Sequence, residues 1–519
     1  AGDAARGQRQ ADGQAADAPP RDQHGVPSAP GGGHGLLGPG ARAGGPGGGA
    51  GLAGRCAGGP RRGCRGPRAG RGGGIGGLAV GLALTSRGIP CKVFEKVQKY
   101  EPFGGPIQLG SNALATLEAI APAVYRQIED EGVVTGDRVN GLLDGKTGDW
   151  YSRFDTRAPA RKYGLPLTLV INRYRLLDIL REALPEGACE MGHVATSYEK
   201  LPGGRAALNF EGGRREEGAL VVAADGIRSA LRQQMKGDMP TYSGYSCYTA
   251  TCAFEAADVD TVGYQVFLGY QQYFVASDVG DGQTQFYAFC KRDAGDEARE
   301  RCMKEELLDF FSDWCPAVLD RVGATRPEDI ECRDIFDHRP TLSWADGSVC
   351  LAGDSAHAMQ PNLGQGGCQA LEDAYVLSSE LKRLQDGELD SMDAVMRNYQ
   401  WRRVARAGAI IGLARSAAVM TTTWRPYLGS DPYGFYGRVP GALDFWKNVE
   451  KLKIPHPGKV AGQVAVMGSM SSILEYVAAA HPVPTSERAP ACQIPGISAP
   501  DRRVPLEAFA MKGIPGFAR

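Results

Sequence analysis

The chain has 519 residues, 43% of them hydrophobic, and 58 basic against 59 acidic side chains give a formal net charge of −1. Beyond residue 71 neither sign forms a long run, so there is no electrostatic footprint for nucleic acid. The 13 cysteines are scattered without a Cys-x-x-Cys, and none of the seven histidines pairs at helical spacing. That set predicts no metal site, and reduced, mostly buried thiols in a reducing compartment.

Residues 1–71 open the chain as a low-complexity segment. From Gly31 to Arg71 it is mostly glycine, proline, alanine and arginine, and between Gln23 and Phe94 there are nine basic residues and no acid. A transit peptide would carry more serine than the lone Ser28. Residues 1–71 are therefore expected to be disordered, either a true tail or a misread 5′ segment. Gly49-Ala-Gly51-Leu-Ala-Gly54 spells GxGxxG but follows no strand, and is set aside as composition. Arg65–Arg71 has no strand character either, so no first strand is expected ahead of Gly72.

Gly72-Gly-Gly74-Ile-Gly-Gly77 is a second GxGxxG, followed by Leu78–Leu84 at helical spacing and by the strand Cys91-Lys-Val-Phe94. Glu95 ends that strand 23 residues after Gly72, close to where an acid would hold the ribose hydroxyls of a dinucleotide. The glycines permit the tight turn and the approach of a pyrophosphate, whose charge the helix N-terminus offsets.

Val170–Leu180 reads as a strand end entering a helix at Arg173, and residues 190–224 as short strands. Ala219–Ala224 is a strand broken by Asp225-Gly226, with a helix after it. Residues 242–290 alternate apolar and polar at period two, predicting an antiparallel sheet beside a long apolar pocket. Residues 303–320 read as one amphipathic helix. Val349–Ala352 is a short buried strand, left by Gly353-Asp354. Pro361, Gly364, Gly366 and Gly367 then open a helix near Cys368–Leu377. Asp354 can accept hydrogen bonds from a polyol such as a ribityl chain. The bare 364–367 backbone at a positive dipole end suits the anionic edge of a reduced flavin. His357 reads as a hydrogen-bonding support rather than a base.

The ordered trio of GxGxxG, Asp225-Gly226 and Gly353-Asp354 resembles the flavin-dependent aromatic hydroxylase superfamily. Gly105–Ala113, Tyr242–Tyr248, Gly263–Gly269, Gln272–Val279 and Ile454–Lys459 are similar to its zeaxanthin epoxidase branch, over about residues 72–480. The resemblance implies an α/β fold: an FAD/NAD(P)-binding Rossmann-like domain interleaved with an antiparallel β-sheet substrate domain, plus C-terminal helices. It implies FAD as cofactor, NADPH or reduced ferredoxin as electron donor, and O2 with a carotenoid as substrates. The reaction would epoxidise the ring double bonds of zeaxanthin to antheraxanthin and violaxanthin. Arg173 sits where family members carry an arginine facing the flavin; a solvated charge at a helix start is the other reading. Asp225-Gly226 would serve both the FAD pyrophosphate and NADPH. No side chain is required as nucleophile or base. A related hydroxylase of aromatics or other terpenoids, and an inactive flavin- or carotenoid-binding homologue, stay open.

The expected organisation is 72–400 monooxygenase, 401–485 helical C-terminal region and 486–519 tail. The 39 residues after Ala480 are too few for the forkhead-associated domain of plant members. Arg406 and Arg415 interrupt the apolar run 403–420, so no spanning helix is expected. Val464–Ala480 is apolar, and Phe445, Trp446 and lysines 447, 451, 453 and 459 precede it. That arrangement fits either peripheral docking on an anionic membrane or a core helix. The implied place is the stromal face of the plastid thylakoid.

Overall fold

The computed structural model describes residues 68–71, 74–100, 105–258, 260–294, 303–423 and 470–487. In chain order the first elements are β1 (Arg68–Arg71), α1 (Ile75–Ser86) and β2 (Cys91–Glu95). Next come β3 (Val139–Asp144), β4 (Trp150–Phe154), α2 (Arg173–Glu182), β5 (Cys189–Met191), β6 (Val221–Ala223) and α3 (Ala230–Lys236). Four long strands follow: β7 (Thr241–Cys252), β8 (Val262–Gly269), β9 (Gln272–Gly280) and β10 (Gln283–Lys291). The remainder is α4 (Met303–Phe310), α5 (Pro316–Ala324), β11 (Glu331–Asp337), β12 (Val349–Leu351), α6 (Asp354–His357), α7 (Gly366–Gln385) and α8 (Met392–Thr423).

A parallel sheet in the order β12–β6–β1–β2–β5 carries the nucleotide-type crossover. Helix α1 is buried along nearly its whole length because it lies between this sheet and α7. Gly81 makes the approach possible: a Cβ there would stand 2.7 Å from Val93 Cγ2. The sheet corrects one expectation. Arg68–Arg71 is a strand and occupies the centre, with Gly70 in register with Val222 on one side and Val93 on the other. Strand pairing runs through backbone groups, and the buried β2 and β6 supply the template that Arg-Ala-Gly-Arg does not advertise. Residues 1–67 lie outside the described residues.

The second sheet has seven strands in the order β11–β7–β10–β9–β8–β3–β4. It is wider than the 242–290 reading, because 139–154 and 331–337 extend its edges, and the β8–β3 pair is parallel. Alternation divides its side chains cleanly. Tyr248, Ala250, Phe267, Phe274, Phe286 and Ala288 pack on one face with Phe311, Trp314 and Val318. Cys247, Val266, Tyr273, Val275 and Phe289 cluster on the other. The helix expected over 303–320 is two helices: Pro316 starts α5, and the chain turns between Phe311 and Cys315.

Helix α8 has 32 residues and is long and apolar enough to cross a membrane, with a mean hydropathy of 1.3 over its best window. Its arginines mark it as a core helix. Arg403 and Arg406 are buried against Glu372 and Asp373 of α7. A shorter helix over 470–479 lies beside it, with Arg406 Nη2 donating to Val477 O at 3.0 Å.

Candidate functional site

Three turns at the ends of β1, β6 and β12 meet at one place. Gly74 is the N-cap of α1, and Gly76 lies close to the third turn: a Cβ on it would sit 3.4 Å from Ala370 Cβ and 3.8 Å from Gly353 Cα. Gly226 has φ of 81°, and Gly353 has φ of 60°, both left-handed positions that favour glycine. Ser355 ties the second turn to the third, because its Oγ accepts from Gly226 N at 3.1 Å and donates to Asp225 Oδ1 at 3.2 Å. Ser229 Oγ also donates to Asp225 Oδ1, at 2.5 Å, while capping α3 by accepting from Arg232 N. Fully buried Arg232 donates to the carbonyls of Ser355 and Ala356.

The third turn rests on a charged cluster that sequence reasoning missed. Asp373 Oδ2 accepts from Gly353 N at 2.7 Å and lies 2.7 Å from His357 Nε2, and Asp373 Oδ1 accepts from Arg403 Nε at 2.7 Å. Glu372 takes Arg403, Arg406 and the Asn112 amide. Burial works against both carboxylates. The charges of His357 and Arg403 on Asp373, and of Arg403 and Arg406 on Glu372, outweigh it and hold both below the usual range. His357 is thus a buried support for the turn, as its sequence position suggested.

Beyond this turn, Pro361 opens a single helical turn that Gly364 ends at φ of 62°, and α7 begins at Gly366 with Gln365 as N-cap. Asp354, exposed, lies beside that start: a Cβ on Gly366 would be 3.8 Å from Asp354 Oδ1. The free N–H groups and dipole of a 20-residue helix therefore open next to a carboxylate and a bare backbone. Asn112 Nδ2 donates to Gln365 Oε1 and Glu372 Oε1, linking the α7 start to the buried arginines.

A cavity of about 600 Å³ runs from these turns onto the seven-stranded sheet. Gly74, Gly226, Gly353, Asp354, Pro361, Gly364, Gly366 and Gly367 line one part of it, with Arg173 at the start of α2. The other part is walled by Leu142, Val266, Tyr273, Val275 and Phe289. Tyr273 and Phe289 stack with centroids 4.2 Å apart. Asn362 Nδ2 donates to Tyr273 Oη at 2.9 Å, joining the helix-start loop to this wall. Burial drives the Cys247 thiol and the Tyr273 phenol well above their usual values and Tyr264 to about 12, so none of these three ionises at neutral pH.

Helix 470–479 walls one side of the chamber. Met470, Ile473, Leu474, Val477 and Ala478, spaced for one helical face, all line the cavity. Glu475 bonds to Lys162 and Tyr163 across the chamber's edge. Of Val464–Ala480, residues 470–479 form a helix in which only Ala478 is buried and one face lines the cavity; residues 464–469 and the lysines before them lie outside the described residues.

The remaining expected site residues fall elsewhere. Glu95 ends β2 as anticipated, buried, and accepts from Val97 N at 3.1 Å, but it does not line the cavity. Gly77 is buried within α1, and Gly72 lies outside the described residues. Asp225 stands behind the cavity wall that Gly226 forms. A glycine turn facing a helix N-terminus, a carboxylate beside it and an adjoining apolar chamber can hold a flavin dinucleotide with an apolar ligand against its ring.

The sequence matches the FAD binding domain family over residues 72–414. It is 45% identical over 432 residues, 81% of this chain, to "Zeaxanthin epoxidase, chloroplastic" of Oryza sativa subsp. japonica, and 44% identical over 431 residues, also 81% of this chain, to its counterpart in Spinacia oleracea. The chain spans 64% and 62% of those relatives' lengths. Among solved structures, Klebsiella pneumoniae HpxO complexed with FAD and uric acid aligns at TM-score 0.63 and 23% identity, covering 79% of this chain and 97% of that one. A salicylate hydroxylase substrate complex aligns at TM-score 0.60 and 20% identity, covering 81% and 98%. These last two speak for the fold.

Proposed function

We propose, for a chain that belongs to the FAD binding domain family, that it is an FAD-dependent monooxygenase epoxidising the ring double bonds of zeaxanthin to antheraxanthin and violaxanthin. The observation that carries this reading is the cavity that passes from a glycine-lined dinucleotide cradle into an apolar chamber. Identity of 42–45% to plant zeaxanthin epoxidases points to the substrate.

FAD supplies the redox chemistry, using electrons from NADPH or reduced ferredoxin to activate O2 for transfer of one oxygen atom. The protein's part is to bind, orient and keep water out. Gly74 and Gly226, with Asp225 behind it, receive the pyrophosphate region, and Glu95, at its strand end, the ribose. Asp354 receives the ribityl chain, and the Pro361–Gly367 turn the anionic edge at the start of α7. Arg173, at the start of α2, would face the ring. The walls built on Tyr273, Phe289 and helix 470–479 hold the apolar ring of the substrate away from bulk water.

The homologues are named chloroplastic, and we place this protein in the plastid, at the stromal face of the thylakoid. There a carotenoid about thirty ångströms long would be drawn end-on from the bilayer. The basic and aromatic run from Phe445 to Lys459 is proposed as the peripheral contact.

Incubating purified protein with FAD, reductant, O2 and zeaxanthin, followed by pigment chromatography, tests the assignment. Antheraxanthin and violaxanthin are expected. Unchanged zeaxanthin alongside hydroxylation of a phenol would move the chain to a sister hydroxylase.

A further inference from the structure

Two oxygen atoms on the chamber side of the large sheet have no hydrogen-bond partner: Thr249 Oγ1 and Gln285 Oε1. Both side chains line the cavity, yet they are only 8% and 2% exposed. Buried polar atoms are rarely left unmet without a reason. They stand on neighbouring strands and on one face, because Thr249 is opposite Tyr287 and Gln285 is opposite Thr251 in the β7–β10 register.

They also converge. A Cβ built on Gly105 would lie 2.9 Å from Thr249 Oγ1, 3.2 Å from Tyr287 Oη and 3.7 Å from Gln285 Oε1. Because Gly105 has no Cβ, neither oxygen is covered from that side. Tyr287 is already committed, its hydroxyl donating to Pro106 O. What remains is one acceptor, the Gln285 carbonyl, and one group of either role, the Thr249 hydroxyl. A ligand hydroxyl satisfies both at once, donating to the first and accepting from the second. A ketone or ether oxygen, with no proton to give, leaves Gln285 unmet.

We propose that Thr249, Gln285 and Gly105 form a slot for a single hydroxyl carried on the ring of an otherwise apolar substrate, and that this slot makes the site prefer hydroxylated rings. The inference rests on the functional reading above and adds the residues that set its specificity. The slot also sets where the ring it holds lies. Gly105 lies two residues before Ile107, and a Cβ on Gly367 would meet Ile107 Cδ1 at 3.0 Å. Two extended residues span about 7 Å, so a ring anchored by its hydroxyl lies beside the turn at the start of α7.

The test uses holoenzyme and two one-ring probes that differ by the hydroxyl alone, 3-hydroxy-β-ionone and β-ionone, with binding read from the change in bound-flavin absorption. Wild-type protein is expected to bind the hydroxylated probe about tenfold more tightly or better, because the unhydroxylated ring buries the orphan atoms unmet. Thr249→Val and Gln285→Met should each bring that ratio to within about threefold of one. Gly105→Ala, which fills the slot and leaves both polar atoms in place, should do the same, and it keeps the test open if a sheet variant fails to retain flavin. Equal binding of the two probes by wild-type protein that epoxidises carotenoid overturns the slot alone. So does a ratio unchanged in all three variants. If neither ionone binds and a phenol does, the functional reading fails and the slot falls with it.

Discussion

Replacing Asp373 with alanine removes the one carboxylate that joins Gly353 N, His357 Nε2 and Arg403 Nε, each at 2.7 Å. Its side chain is wholly buried, and Arg403 is 1% exposed, so the guanidinium keeps Glu372 but loses half of its charge balance in a place water does not reach. Breaking a buried pair from one side costs about 3–5 kcal/mol. With an unfolding entropy of about 2.1 cal/mol/K per residue over roughly 400 residues, 1 kcal/mol moves the melting point by about 1.2 °C, so a fall of roughly 4–6 °C is expected in a thermal scan. The exposed pair Arg326–Asp329 is the control: Arg326→Ala should leave the melting point close to wild type. Because Gly353 sits where the cofactor turn starts, Asp373→Ala should also weaken FAD binding by about tenfold, which needs only about 1.4 kcal/mol of the lost order. Fluorescence titration of the apoprotein with FAD measures that. A melting point within the range of the Arg326 control, or unaltered FAD affinity, would refute the claim that this buried cluster holds the turn.

Other substitutions probe the remaining parts. Gly353→Ala puts a side chain at φ of 60° and a Cβ 3.3 Å from Ala370 Cβ, so it should cost about 1–3 kcal/mol and lower the flavin content of purified protein. Leu474→Asp on helix 470–479 should raise KM for carotenoid while flavin content stays near wild type; a loss confined to flavin would contradict its place in the substrate wall. The depressed carboxyls of Glu372 and Asp373 give stability that is fully present above the ordinary carboxylate range, about pH 4, and is lost as pH falls through their lower native values. Melting points from neutrality into acid should therefore fall more gently for Asp373→Ala than for wild type.

What the sequence made legible was what backbone geometry demands of single residues. Gly353 and Gly364 need left-handed conformations, and Gly366 and Gly367 need bare backbone, so glycine and aspartate at strand ends announced the cradle. The cluster beneath it was illegible, because Asp373 and Arg403 stand 30 residues apart and meet only when α7 packs on α8. Nothing in the sequence shows that Arg232, in the helix after Asp225-Gly226, reaches the carbonyls of 355 and 356. Composition hid the first strand, since parallel pairing draws on neighbours rather than on the side chains of Arg-Ala-Gly-Arg. The apolar spacing at 470, 473, 474 and 477 was visible, but periodicity alone cannot tell a membrane face from a cavity face. Pro316 could have divided the helix read over 303–320, because proline at a first helical position starts a new element.

The central claim is that a reduced cofactor and an olefinic ring share one chamber. A single turnover tests it most directly: holoenzyme reduced without air, loaded with zeaxanthin, then mixed with isotopically heavy oxygen gas, with the pigments analysed by mass spectrometry. The account predicts epoxide carrying one heavy oxygen atom for each ring converted. Zeaxanthin recovered intact while oxygen is consumed, or epoxide oxygen drawn from water, would contradict it.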